Sequence, residues 1–538
     1  MRFKRFVSLL LLVISPLCAA NSLPHLKPVN GHSQLLVKGQ PFIMLGGELG
    51  NSSATSMEYM QPIWPKLKAM NINTVLAPVY WEMIEPTQGK FDFSSLDALI
   101  SEARNQQQKL VLLWFGAWKN SMSSHAPGWI KLNQKTYPRI KDEKGKSQEI
   151  LTPFSTEVLK ADKAAFVTLM QHLKASDSQQ NTVLMVQVEN EIGMLPSARD
   201  HHPLANAKFN APVPAKLINY LKNPPTKLAP ELTNAWQQQG NKTSGNWVEM
   251  FGKSKRTDEL FMAWYYADFV QQLAAAGKAV YNLPMYVNAA LNRPGKAPGE
   301  YPSAGPLPHV INCWKAAAPA LDFLSPDFYN PRFKHWNDLY SRADNPLFIP
   351  EHKFDETVAA KALYAIGHYR ALGFSPFSIE STDKPELEDL GKSYALIKQL
   401  QPMLTNANVL KVDAVLFDKT EQSQNIQFGD YIFKLKHDFT LGWSPDAKND
   451  SWPMAAVIVI QTKQNEYFIA GNGVVINFAV AKDDKLNAGI LSLQEGRFEQ
   501  GSWHPVRQLN GDQTHQGRHV RLPQGRFGIQ KLSLYSYE

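Results

Sequence analysis

The 538-residue sequence predicts an α/β fold, a (β/α)₈ TIM barrel followed by a C-terminal antiparallel β-sandwich domain. The first observation is that short apolar runs alternate with amphipathic stretches between about residues 41 and 380. The second is that the period of the apolar pattern changes to two after about residue 408. We therefore expect a barrel with a short lead-in over 21–405 and a β-sandwich over 406–538.

The apolar runs of the first region number eight, as a closed barrel of parallel strands requires. They are continuous rather than alternating, which is typical of strands that are buried on both faces. The runs are 42–45, 74–79, 110–114, 183–188, 285–287, 321–324, 347–349 and 374–379. Residues between the runs repeat at helical spacing, for example Val158, Phe166, Leu169 and Leu173 after Ser155.

A long segment, about 195–257, interrupts this alternation. It is polar, rich in Pro, Asn and Gln, and follows directly on the fourth apolar run. In a barrel it would lie over the face where the strands end, where long loops control access. An insertion without a function is an equal alternative.

The second region has the pattern of an antiparallel β domain. Segments such as 457–460, 466–469 and 474–478 are rich in β-branched and aromatic residues, and Asn472-Gly473 is a strong turn signal. These features favour a sandwich of two sheets.

Composition indicates a globular protein and limits its partners. Hydrophobic residues make up 44% of the chain and charged residues 19%. The formal charge of +8 becomes +5 (8 − 3) if Arg2, Lys4 and Arg5 are removed with the N-terminal segment. Clusters of basic residues interleaved with aromatic residues are absent from the sequence, so we expect no nucleic-acid partner.

The first 20 residues have the pattern of a secretory signal peptide. A basic head precedes an apolar stretch, 6–17, that is too short to span a bilayer. We expect a secreted or periplasmic protein with no stable membrane insertion, and a retained anchor is the alternative. Cleavage after Cys18-Ala19-Ala20 would leave only Cys313, so no intramolecular disulfide is expected.

Two of the apolar runs lead into glutamates. The fourth ends in Glu189-Asn190-Glu191 and the seventh in Pro350-Glu351. In a parallel barrel, reactive groups lie where the strands end. Two carboxylates about 5 Å apart across that rim are the arrangement used to cleave glycosidic bonds with retention. We predict Glu191 as general acid/base and Glu351 as nucleophile, with Glu189 as a structural partner; solvated rim charges are the alternative.

Aromatic and amide side chains near the strand ends are candidates for sugar contacts. Asn190 would hydrogen-bond the hydroxyl next to the reacting carbon. Trp81 and Trp118 would stack on a sugar face, with packing inside the rim as an equal alternative. Asn288, which follows the fifth run, would also contact the sugar.

Tyr329, after the sixth run, is expected to donate a hydrogen bond to Glu351 and hold that carboxylate ionised. Structural packing is the alternative for Tyr329. The histidines that merit a metal query, His201, His202 and His352, lack convergent spacing, so we predict no catalytic metal and no cofactor.

Several motifs resemble glycoside hydrolase family 35, the β-galactosidases of clan A. Residues 188–193, Val-Glu-Asn-Glu-Ile-Gly, are similar to the family signature V/I-E-N-E-Y-G. Further similar positions, over about residues 35–380, are Trp81, Glu85-Pro86, Gly89, Phe91-Asp92-Phe93, Trp118 and Pro127-Gly128-Trp129. The resemblance implies the same two roles for Glu191 and Glu351. It also points to a bacterial subgroup with a short C-terminal β domain, in which galactose on xyloglucan side chains is a substrate.

The chain departs from the family at three positions that contact galactose hydroxyls in its members. Pro78 stands where the family has Tyr, Glu82 where it has Asn, and Ala117 where it has an acidic residue. These departures bear on the identity of the sugar more than on the mechanism. Candidates for replacement contacts are Tyr80, Lys119 and Asn120.

The sequence thus predicts a retaining, exo-acting β-galactosidase that releases terminal β-D-galactose from oligosaccharides, with xyloglucan-derived ones as the preferred source. One alternative is the same mechanism on a β-mannoside, β-glucoside or arabinoside. The other is a non-catalytic glycan-binding protein on a barrel scaffold.

Overall fold

The structure is a computed structural model that describes residues 22–483 and 485–538. The expected signal peptide, 1–20, lies outside the described residues. The lead-in forms a three-stranded antiparallel sheet of His25–Val29, His32–Val37 and Gln40–Phe42.

Eight parallel strands close into a barrel, which confirms the predicted fold class. They are Met44–Glu48, Thr74–Tyr80, Lys109–Lys119, Val183–Asn190, Met285–Ala290, Phe323–Phe328, Ile349–His352 and Gly373–Pro376, referred to below as barrel strands one to eight. The eighth pairs with the first through Gly373 and Met44. Almost every strand residue is buried, because helices cover the outer face and side chains fill the inner one.

Helices surround the strands. They are Met57–Met60, Ile63–Ala69, Trp81–Ile84, Ser94–Asn105, Gly128–Lys131, Thr156–Asp177, Lys255–Val280, Ile311–Ala317, Phe333–Tyr340, Val358–Gly367 and Asp389–Leu404. Short 3₁₀ turns lie at Ser53–Thr55, Pro308–Val310, Ile379–Ser381 and Pro385–Leu387. The helix predicted after Ser155 begins there because the Ser155 side chain accepts a hydrogen bond from the Val158 N–H. Among the described residues, every helix is too short or too polar to cross a bilayer.

The segment 195–257 is largely helical rather than an open loop. Its helices are Pro203–Asn210, Ala215–Lys222, Pro230–Gln238 and Trp247–Phe251. Each buries only a few apolar residues, such as Leu217, Leu232 and Trp247, in the main core. The polar composition therefore hid their helical spacing. A small hairpin of Arg139–Lys141 and Ser147–Leu151 precedes the long helix after Ser155.

Two antiparallel sheets make up the C-terminal region, as predicted. In spatial order, the six-stranded sheet contains Lys411–Phe417, Ala455–Lys463, Glu466–Asn472, Gly528–Tyr537, Asn487–Glu499 and Ser502–Gln508. The four-stranded sheet contains Ser423–Phe428, Tyr431–His437, Val474–Val480 and Val520–Leu522. Connecting 3₁₀ turns are Asp438–Leu441, Pro445–Lys448 and Gly511–Thr514. Both sheets contribute to one apolar core, for example through Val457 and Phe433.

One strand, Ala455–Lys463, joins the sandwich to the barrel. Val457 and Val459 point into the sandwich core, whereas Ile458 and Ile460 belong to the barrel core. Because side chains alternate along a strand, its continuous apolar pattern serves two cores at once. The last barrel helix, Asp389–Leu404, also contacts the sandwich, since the Phe498 N–H donates to Gln399 Oε1 at 3.0 Å.

Gly367 marks a close approach between the two regions. A methyl group on its Cα would lie 2.7 Å from Ala414 Cβ and 2.8 Å from Ile458 Cγ1. We predict that Gly367→Ala lowers the free energy of unfolding by about 1–3 kcal/mol through overpacking, measured by denaturant unfolding. Gly128→Ala, where an added Cβ meets nothing within 4 Å, is the matched control. An equal effect of both substitutions would contradict this packing.

Candidate active site

A cavity of about 770 Å³ opens where the barrel strands end. Its size falls in the range of about 300–1,000 Å³ that is usual for ligand sites. The polar residues in its wall include Asn51, Lys119, Asn120, Glu191, Asp327, Tyr329 and Glu351, and Phe377 closes the side near the eighth strand. The cavity therefore collects side chains from most of the rim, with the end of the second strand as the exception.

The two predicted glutamates meet in this cavity. Glu191 follows the fourth strand directly, and Glu351 lies in the seventh. One carboxylate oxygen from each of Glu191, Asp327 and Glu351 lies within 4.8 Å of the other two. This spacing is close to the separation of about 5–5.5 Å found where one carboxylate acts as nucleophile and the other as acid.

The backbone around Glu191 turns sharply as the fourth strand ends. Glu189 and Glu191 have φ angles of 62° and 44°, in the left-handed region that non-glycine residues seldom adopt. The Glu191 N–H donates to Asn288 Oδ1 at 2.9 Å, and the Ser121 hydroxyl donates to the Glu191 carbonyl at 2.7 Å. These bonds stabilise the turn that brings the Glu191 side chain to the cavity.

Neighbouring donors orient both carboxylates. Asn120 Nδ2 donates to Glu191 Oε2, and the Tyr329 hydroxyl donates to Glu351 Oε1, the contact expected from the sequence. Burial, followed by the charge of Glu191, raises the pKa of Glu351 to about 7. The Lys119 ammonium and the Tyr329 hydrogen bond oppose this rise because both favour the ionised carboxylate.

Lys119 is a buried cation at the edge of the cavity. Its Nζ donates to Asn190 Oδ1 at 2.8 Å and to Asn120 Oδ1 at 2.6 Å. Asn190 is fully buried, and its Nδ2 has no hydrogen-bond partner among the described residues. Lys119 thus fixes the orientation of the Asn190 amide, which lies behind the cavity wall rather than in it, unlike the sugar contact expected from the sequence.

Trp81 and Trp118 do not line the cavity, which corrects the expectation that they stack on a sugar. Both are fully buried. Trp81 donates from Nε1 to Glu85 Oε2 at 2.9 Å, and Trp118 packs edge-on against Phe269 at 4.7 Å between ring centroids. Indole rings bury a large apolar area, so packing between strands and helices outweighs exposure at the rim.

Tyr80 and Asn288 also act behind the cavity wall rather than in it. The Tyr80 hydroxyl donates to the Asn51 carbonyl at 2.8 Å and so supports a residue that does line the cavity. Asn288 is buried between Glu191 and Asp327, and its Nδ2 donates to Asp327 Oδ2 at 2.7 Å. The sequence placed both side chains on the correct rim without showing which way they point.

Glu189 faces the helix layer, in agreement with its predicted structural role. Its carboxylate accepts hydrogen bonds from the Trp118 N–H at 2.8 Å and the Ala117 N–H at 3.2 Å. Burial, followed by the neighbouring charge of Asp162, raises the pKa of Glu189. Because Ala117 is fully buried, it offers no contact to the cavity.

Two acidic residues of the site were not predicted. Glu48 ends the first strand and Asp327 lies near the end of the sixth, and both are almost fully buried. Burial raises the pKa of each, and the charge of Glu351 raises it further. Their signal in the sequence was an acid at the end of an apolar run, but Ser325-Pro326 made the sixth run look shorter than it is.

The trio of Glu191, Asp327 and Glu351 is also the one group among the described His, Cys, Asp and Glu residues that is close enough to share a metal ion. Carboxylate oxygens suit hard cations such as Mg²⁺ or Ca²⁺. The raised pKa values of Asp327 and Glu351 favour retained protons as the alternative way to offset the charge.

We predict that Tyr329→Phe raises the pKa of Glu351 by about one pH unit, because it removes a hydrogen bond to the ionised carboxylate. The measurement is a ¹³C NMR titration of protein labelled at glutamate carboxyls, with Glu351→Gln to assign the signal. Tyr369→Phe is the control, since that hydroxyl donates to Asp338 instead. An unchanged titration in Tyr329→Phe would contradict the contact.

Comparison with known proteins identifies two segments. Residues 34–270 match glycosyl hydrolases family 35, which confirms the resemblance read from the sequence motifs. Residues 390–521 match a family described as a domain of unknown function (DUF5597).

A β-galactosidase from Xanthomonas manihotis is 27% identical over 209 residues, which cover 37% of this chain and 32% of that protein. The chain thus spans about a third of the length of this curated relative. Solved structures that match part of the chain include β-galactosidases from psychrophilic Marinomonas ef1 and from Bacillus circulans sp. alkalophilus. Both are 13% identical, with TM-scores of 0.45 and 0.46. The matches cover 67% and 68% of this chain and 60% and 57% of those chains.

Proposed function

We propose that this chain, whose residues 34–270 match glycosyl hydrolases family 35, is a retaining β-galactosidase that releases terminal β-D-galactose by double displacement. The observation that carries the proposal is the approach of Glu191 and Glu351 carboxylate oxygens to within 4.8 Å in one cavity. That gap admits a sugar carbon between the two groups. An inverting enzyme needs about 6.5–9.5 Å, to fit a water molecule as well.

In the first step, Glu351 attacks the anomeric carbon while Glu191 gives a proton to the leaving oxygen. Glu351 must be ionised to attack, and the Lys119 charge and the Tyr329 hydroxyl both favour that form. In the second step, Glu191 takes a proton from water, which displaces the sugar from Glu351.

The substrate we propose is a galactosylated oligosaccharide, derived from xyloglucan, that is shortened from its non-reducing end. Lys119 and Asn120 line the cavity and supply polar contacts near position 117, where the buried Ala117 supplies none. The cavity is large enough to accept further sugar units beside a terminal residue. The signal-like pattern of residues 1–20 makes a secreted or periplasmic site of action part of the same proposal.

We predict that Glu351→Ala lowers kcat on aryl β-galactosides by at least about 10⁴-fold, because the covalent step is lost. Added azide should restore part of the turnover of Glu351→Ala, with inverted product. For Glu191→Ala, kcat/KM should fall much less on substrates with good leaving groups than on natural oligosaccharides, because the first step then needs no proton donor. Glu386→Ala, on an exposed turn, serves as the control. Full activity of Glu351→Ala would refute its assignment as nucleophile.

We predict that the first sugar released from a galactosylated xyloglucan oligosaccharide is β-galactose, as ¹H NMR of fresh reaction mixtures would show. Initial release of the α-anomer would mean inversion and would exclude the double displacement. A panel of nitrophenyl glycosides tests the sugar. If a β-mannoside, β-glucoside or α-arabinoside is hydrolysed faster than the β-galactoside, that sugar would be the substrate instead of galactose. If wild type hydrolyses none of them but binds sugars, the protein is a glycan-binding module.

A further inference from the structure

We propose that Asp327 contacts the substrate directly, through one hydrogen bond between its free carboxyl oxygen and a hydroxyl of the sugar in the cavity. This inference rests on the proposed function, because it assigns a specificity-determining contact within the same site. It goes beyond the two-glutamate mechanism, which assigns Asp327 no role.

The position of Asp327 is fixed by the barrel. Its Cα is the register partner of Glu351 across the sixth and seventh strands. Its carboxyl group lies in the cavity wall, with an oxygen within 4.8 Å of both Glu191 and Glu351. A sugar held between those two glutamates therefore lies beside Asp327 as well.

The two oxygens of Asp327 have different surroundings. Oδ2 accepts a hydrogen bond from Asn288 Nδ2 at 2.7 Å, and Asn288 is held in turn by the Glu191 N–H at 2.9 Å. Oδ1 is buried and accepts no hydrogen bond from a protein N–H or O–H donor among the described residues. The neighbouring Glu191 carboxyl group raises the pKa of Asp327 through its charge and through a side-chain hydrogen bond. A buried polar atom without a partner costs free energy, so its retention in a cavity wall points to a partner that arrives with the ligand.

The chemistry of Asp327 suits a hydroxyl. Burial and the charge of Glu351 raise its pKa, so the carboxyl group can donate a proton as well as accept one. A sugar hydroxyl can accept a hydrogen bond from the protonated carboxyl group or donate one to its oxygen. Oδ2 is already held by Asn288, so Oδ1 is the oxygen that would meet the sugar hydroxyl.

The test compares wild type, Asp327→Ala and Asp327→Asn on the aryl glycoside that wild type hydrolyses fastest and on its 2-, 3-, 4- and 6-deoxy analogues. We expect Asp327→Ala to lower kcat/KM by about 10- to 100-fold on the parent sugar. On one deoxy analogue, wild type and Asp327→Ala should agree within about threefold, because the hydroxyl that Asp327 contacts is already missing.

The kcat/KM of Asp327→Asn should lie between those of wild type and Asp327→Ala, since an amide keeps one acceptor and one donor group. If circular dichroism shows that Asp327→Ala does not fold, Asp327→Asn is compared with wild type in its place. Asp383→Asn, whose side chain is 98% exposed, is the matched control and should behave as wild type on every analogue.

Two results would overturn the proposal. An equal loss on the parent and on every analogue would show that Asp327 only shapes the site. Activity that disappears with EDTA and returns with Mg²⁺ or Ca²⁺ would show that the carboxylate trio binds a cation instead.

A failure of the proposed function is distinguishable from a failure of this contact. If wild type hydrolyses no glycoside, calorimetry with galactose and its deoxy analogues makes the same comparison through the dissociation constant. Weaker binding by Asp327→Ala that vanishes for one analogue supports the contact even without turnover, and equal affinities refute it.

Discussion

The burial of carboxyl groups at the mouth of the barrel is the constraint on which the rest of the site depends. Glu48, Glu191, Asp327 and Glu351 converge there, and Lys119 is the cation that acts on both Glu48 and Glu351. Burial and the charges of neighbouring acids raise the pKa values of Glu48, Asp327 and Glu351, so these three acids keep their protons to a higher pH than they would in water. The Tyr329, Asn120 and Asn288 side chains orient these carboxyl groups through hydrogen bonds to Glu351, Glu191 and Asp327.

Burial of these carboxyl groups also lowers the free energy of unfolding by an amount that depends on pH. The pKa of Glu351 is raised in the folded chain to about 7, from an unfolded value near the usual ~4.3. The folded state therefore binds more protons than the unfolded state between these values, and its stability falls as the pH rises through that interval. Glu48 and Asp327 act in the same direction because their pKa values are raised too. The buried carboxyl groups of the site therefore make the folded chain less stable at neutral pH than at acidic pH.

How much of this was accessible from the sequence depended on the kind of signal. Strands buried on both faces are continuous apolar runs, so the barrel and the rim positions of Glu191 and Glu351 followed from pattern alone. The direction in which a side chain near the rim points could not be predicted from this pattern. Trp81, Trp118 and Tyr80 satisfy the pattern whether they face the cavity or the helices. Asp327 was missed because Ser325-Pro326 made the predicted run end at residue 324, whereas the strand continues to Phe328 and pairs Asp327 with Glu351. The helices of 195–257 were missed for a related reason, as each has too few buried residues to show a period.

The helix Asp389–Leu404 has a consequence for how such a chain can change over evolutionary time. It packs with Val358–Gly367 as part of the barrel, yet Gln399 on it also accepts the Phe498 N–H of the sandwich. Shuffling of modules works best where few contacts cross the joint. In this chain the joint is not the short connection before Lys411, because Gly367 on the other helix also packs against Ala414 and Ile458. A lineage that exchanged its β-sandwich would therefore have to keep both helices matched to it.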